Sequence, residues 1–119
     1  MSNSEFLDKA ISAHLLWRSR LRAAVDGGEL PDERKTRRDD QCDLGRWIHG
    51  EVAKGGASPL LRELQQKHAA FHQVAADILR ELQRAGRQQA AAALDATRYT
   101  EASNEVIHAI GALTRAMAA

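Results

Sequence analysis

Residues 58–86 read SPLLRELQQKHAAFHQVAADILRELQRAG, and this stretch decides the fold. Leu61, Leu64, His68, Phe71, Ala75, Ile78 and Leu82 step by 3, 4, 3, 4, 3 and 4, which lines them along one stripe of a long α-helix. Ser58 is placed to cap that helix, with Pro59 at its first position. Gly86 supplies the stop, so the pattern predicts a helix over 59–85. One position in the stripe is unexpected, because a helix that uses leucine at most of its buried positions uses histidine at 68. A second histidine, His72, follows one turn later on the same face.

Working outward, the same periodicity recurs upstream. Leu7, Ala10, His14, Trp17, Leu21 and Ala24 form an apolar seam that predicts a helix over 4–25, ended by Asp26-Gly27-Gly28. His14 again occupies a position where leucine is expected. Downstream, Tyr99, Ser103, Val106, Ile110, Leu113 and Met117 give the inner face of a helix expected to run unbroken over 88–117. The alanine run 90–93 favours that helix.

Between the first two long helices lie residues 29–39, ELPDERKTRRD, which read as a polar connector. Its basic cluster, Arg34, Lys35, Arg37 and Arg38, is largely balanced by neighbouring acids and reads as a solvated loop, with an anion or partner site as the other reading. A short helix is expected through QCDLGRWIHG, with Asp40 as its N-cap and Gly50 closing it, followed by a loop over 50–58. Three long helices, one short helical segment that carries the cysteine and brief loops predict an all-α fold, an antiparallel four-helix bundle.

Composition limits the function. A chain of 119 residues makes one domain over 1–119, and 17 basic against 16 acidic residues leave no strongly basic face for nucleic acid. No segment has membrane-spanning length, and residues 1–10 lack a signal-peptide core. One cysteine forms no internal disulfide, so a reducing, cytoplasmic setting is expected.

An imidazole on a helix core is costly unless both nitrogens are satisfied. Facing helices of a bundle bring such groups together. His14, His68 and His72 with Cys42 make a complete donor set for tetrahedral Zn2+, which is the expected cofactor. Cys42 falls in the first turn of its helix, where the dipole favours a thiolate, and Gly45 suggests close approach by a neighbouring helix, with Trp47 packed over the same region. His49 is a competing ligand seven residues after Cys42, or else an exposed histidine near the helix end, and His108 is expected on the outside. Four protein ligands leave no place for a catalytic water, and no glutamate follows His68 in the zinc-protease manner. No enzymatic activity is therefore expected. A phosphotransfer bundle is another reading of Lys67-His68, although it needs an exposed histidine. A purely structural zinc site in a dimeric adaptor is a third.

Three motifs taken together resemble the chemoreceptor zinc-binding domain family, CZB. They are His14-Leu15-Leu16-Trp17, then Cys42-Asp43-Leu44-Gly45-Arg46-Trp47 in the pattern Cys-x-x-Gly-x-Trp, and His68-Ala69-Ala70-Phe71-His72 in the pattern His-x-x-Phe-His. The resemblance implies zinc held at positions 14, 42, 68 and 72, an all-helical bundle that is often a homodimer, and a bacterial cytoplasmic sensory role. It further implies a chemoreceptor or diguanylate cyclase signalling module as partner, with zinc occupancy or oxidation of the cysteine by hypochlorous acid altering output. The chain carries neither a cyclase motif nor a long receptor coiled coil, so its output partner is left open.

Overall fold

The computed structural model describes residues 3–55 and 58–118, with the side chain of Ala118 excluded. Six helices follow in order: α1 (Asn3–Val25), α2 (Glu33–Arg37), α3 (Asp43–Ala53), α4 (Pro59–Ala85), α5 (Arg87–Asp95) and α6 (Thr97–Ala118). Among the described residues there is no strand. The body is elongated, with extents of 46 × 23 × 22 Å.

Contacts between side chains fix the direction of each limb. Glu33 meets Arg80, Arg37 meets Asp77 and Cys42 meets His68, so α2 and α3 descend against α4. Asp77 meets Arg98 and Lys67 meets Glu105, so α6 descends on its other side. His14 meets Ser103 while Arg22 meets Asp95, so α1 also runs against α5 and α6. The result is the antiparallel four-helix bundle expected from sequence, with α2–α3 as its second limb and α5–α6 as its fourth.

The long helices form where the pattern puts them. Ser58 Oγ accepts from Leu61 N at 3.2 Å, Pro59 opens α4, and Gly86 at φ 92° ends it. That positive φ suits glycine and lets the chain reverse directly into α5. Leu7, Leu21, Leu64, Phe71, Leu79, Leu94, Val106 and Ile110 are fully buried. Each such side chain contributes roughly 1.5–3 kcal/mol of hydrophobic stabilisation, which holds the long helices face to face.

Five local expectations are corrected. The connector 29–39 holds a helix: Asp32 accepts from Lys35 N at 2.9 Å and starts α2, and Thr36 is buried against α4. Of its basic residues, Arg37 pairs with Asp77 and Glu33 and Arg38 with Asp40, while Arg34 and Lys35 face solvent. Cys42, not Asp40, is the N-cap of α3, and α3 runs past Gly50 to Ala53, so only the later part of the loop 50–58 stands, with residues 56–57 outside the described set. The helix expected over 88–117 breaks at Ala96, whose extended backbone (ψ 156°) separates α5 from α6. Met117 is exposed rather than internal, because α6 outruns its neighbours there.

Candidate metal centre

The centre sits where the second limb breaks, between α2 and α3, against the middle of α4. On α4, His68 and His72 stand one turn apart and are 2% and 3% exposed. Their Nε2 atoms are 3.0 Å apart. Cys42 Sγ, at the start of α3, lies 3.3 Å from His68 Nε2 and 3.7 Å from His72 Nε2. Cys42, His68 and His72 thus bring one sulfur and two nitrogens to a common point, all within 4.8 Å of one another.

Backbone geometry aims these atoms. Thr36 carbonyl, from the last turn of α2, accepts a hydrogen bond from His72 Nδ1 at 2.8 Å. A carbonyl only accepts, so Nδ1 carries the hydrogen and the Nε2 of the neutral ring is a bare lone pair aimed at Cys42 and His68. Trp17 packs edge-on to His72 with ring centroids 5.8 Å apart, which further fixes the ring. Cys42 is aimed by its role as a cap: its Sγ accepts from Gly45 N at 3.3 Å. A Cβ at Gly45 would collide with the Asp39 carbonyl. The glycine therefore admits the incoming backbone of its own connector, not a neighbouring helix as expected. Trp47 packs on Phe6, with centroids 5.7 Å apart.

Burial sets the charge states. It holds His68 down to about 3 and, with repulsion from the other histidines, keeps the ring neutral. His14 falls to about 4, again mainly through burial. His72 is lowered by burial, opposed by the Thr36 bond. The Cys42 thiol is pushed up by burial, against the opposing pull of the amides at the start of α3. The expected thiolate is therefore not the metal-free state, because desolvation outweighs the helix terminus here.

The donor set fits a zinc ion. Zn–N bonds of about 2.0–2.1 Å and a Zn–S bond of about 2.3 Å give tetrahedral edges of about 3.3 Å between nitrogens and about 3.6 Å between nitrogen and sulfur. The three separations in the protein lie close to those edges. His68 Nδ1 is buried without a hydrogen-bond partner among the described residues. With both rings neutral and His72 Nε2 bare, the 3.0 Å contact makes His68 Nε2 the donor to His72. A cation at the common point would take the lone pairs of both Nε2 atoms, with His68 then carrying its hydrogen on Nδ1.

The other histidines fall elsewhere. His14, on α1, is 6% exposed and lines the same 620 Å³ cleft as Cys42, His68 and His72. Its Nε2, however, is engaged with Ser103 Oγ at 2.9 Å, and its ring packs 4.3 Å from Phe71. His49 is exposed and pairs with Asp39 at 3.3 Å, outside the cluster. His108 is on the surface, as expected.

Sequence reasoning missed Thr36 and Ser103 as contributors. Thr36 acts through its carbonyl, which leaves no side-chain signature. Ser103 was detectable by the rule that found the histidines: it is a polar residue on an apolar seam.

The family model described as the chemoreceptor zinc-binding domain matches residues 14–79, more than half of the chain. The matched span opens at His14 and includes Cys42, His68 and His72. No curated protein and no solved structure matches the chain.

Proposed function

The chain belongs to the chemoreceptor zinc-binding domain family, and from that premise we propose that it is a zinc-responsive regulatory domain without catalytic activity of its own. The observation that carries this reading is the convergence of Cys42 Sγ with two imidazole Nε2 atoms, one of them freed for a metal by the Thr36 carbonyl. Cys42, His68 and His72 would hold Zn2+, and His14 would complete the set from α1. Bound there, zinc supplies a cross-link between the first three limbs of the bundle.

The residues around it favour sensing over a purely structural staple. Cys42 lines the cleft between α1 and α3, which gives small solutes a path to its sulfur. A two-electron oxidant that transfers oxygen to that sulfur yields a sulfenic acid, a poorer metal donor than the thiolate. Cys42 also caps α3, so a change at the sulfur acts directly on the short helix. No helix among the described residues is long and apolar enough to cross a membrane. The family points to a cytoplasmic chemoreceptor-type or cyclase-type signalling module as partner and to a homodimer as the working unit.

Zinc content measured by mass spectrometry, on protein purified without a histidine tag, tests the proposal. One tightly held zinc per chain, lost in Cys42→Ala, is expected. A wild-type chain that takes up no zinc would overturn it. Zinc release by mild oxidant, with a change in dimer affinity or helix content, distinguishes a sensor from an adaptor.

A further inference from the structure

His14 stands apart from the other donors in one respect: its nitrogen already has a partner. The Nε2 of His14 lies 2.9 Å from Ser103 Oγ, on α6. Ser103 interrupts an apolar seam in which Tyr99, Val106, Ile110 and Leu113 are buried. A serine there gives up packing, and what it gains is this bond. The bond is also a link between the first limb and the last, and Ser103 lies beyond the residues 14–79 that match the family. The site proper is assembled from α3 and α4, so α6 touches it through His14.

We propose that Ser103 is a positioning residue that holds His14 off the metal site, so that metal binding must take His14 from Ser103 and thereby release a contact between α1 and α6. The inference rests on the zinc-binding reading above. In the metal-free chain, Nε2 of His14 is satisfied by the hydroxyl. In the loaded chain the same nitrogen faces Cys42, His68 and His72 across their shared cleft, and Ser103 loses its partner. Metal occupancy is thereby reported on α6, the helix farthest in sequence from the cysteine.

A competing hydrogen bond of ordinary strength weakens metal binding by about fivefold. Removing it therefore tightens binding. Ser103→Ala in the full chain should lower the zinc dissociation constant by about fivefold, measured by competition with a chromophoric chelator. The gain should vanish when His14→Ala is introduced beside it, since a mere packing effect of residue 103 would persist there. Ser103→Thr, which keeps the hydroxyl, should bind as the wild type does. Unchanged or weaker zinc binding in Ser103→Ala, a gain that survives His14→Ala, or a threonine variant that behaves like the alanine variant would each overturn the proposal. Failure of the wild type to bind zinc would instead strike the functional reading on which it stands.

Discussion

Two limbs of this bundle are broken helices, and they use their breaks differently. In the fourth limb, the interruption at Ala96 is closed by cations from α1: Arg18 donates to the Leu94 carbonyl at 3.2 Å and to Asp95 at 3.0 Å, and Arg22 reaches Asp95 at 2.5 Å. The Leu94 carbonyl left loose by the break is simply satisfied. In the second limb, the interruption between α2 and α3 puts its loose groups to work. The Thr36 carbonyl aims His72, and the unpaired amide of Gly45 aims Cys42. A helix end is a supply of unspent donors and acceptors. One break consumes them for closure, the other for orienting metal donors.

The strongest way to test this contrast is to load the site. Zinc at a thousandfold excess over its dissociation constant should raise unfolding free energy by about 4 kcal/mol. Cys42→Ala should remove that gain, read as the shift of the thermal midpoint on adding zinc. A similar zinc-dependent shift in Cys42→Ala would show that the second-limb break is not the seat of binding.

Acid separates the same regions. His14 and His68 are held at about 4 and about 3, below the ordinary value near 6.5, so the unfolded chain binds protons that the folded chain refuses. Their contribution is intact above pH 6.5 and is lost as pH falls toward 4. For His14 the loss amounts to about 3 kcal/mol. Chemical denaturation of metal-free protein between pH 7 and 4 measures it, and replacement of both histidines should flatten the curve. At pH 7.5 the thiol of Cys42 is protonated while the imidazoles are neutral. Zinc binding should accordingly release about one proton, visible as a buffer-dependent heat.

Glycines at the two limbs give the next smaller effect. Gly45→Ala forces a Cβ into the Asp39 carbonyl. It should cost about 2–3 kcal/mol of stability, as other sterically forced core changes do, and should weaken zinc binding as well. Gly86→Ala strains a positive φ but meets no atom within 4 Å. It should cost about 1 kcal/mol and leave zinc affinity unchanged. Equal zinc affinities in the two variants would break the comparison. Smallest of all, Arg18→Ala removes exposed contacts at the fourth-limb break. A loss of about 1 kcal/mol or less is expected, with zinc affinity unaltered by titration.

The apolar scaffold was largely legible. Leu61, Leu64, Phe71, Ala75 and Ile78 are buried where their spacing puts them, and Ser58, Pro59 and Gly86 bound α4 as their local chemistry requires. The polar connector was misread, since Glu33, Arg34, Lys35 and Arg37 show no apolar period and Thr36 alone is buried. Its helix is held by the Asp32 cap and by ion pairs to α4. The break at Ala96 left no mark either, because alanine is the best helix former and the Arg18 bond to the Leu94 carbonyl is a tertiary contact with no local signature.

The order of residues alone settled the period of each long helix and marked which seam positions carry nitrogen or sulfur in place of hydrocarbon. It could do so because burial of apolar surface repeats every turn and needs no particular partner. The folded chain decided which lone pairs face one another, with Thr36 turning His72, the Cys42–Gly45 cap turning the sulfur and Ser103 engaging His14. Those choices rest on hydrogen bonds, which are directional and here join groups up to 89 positions apart.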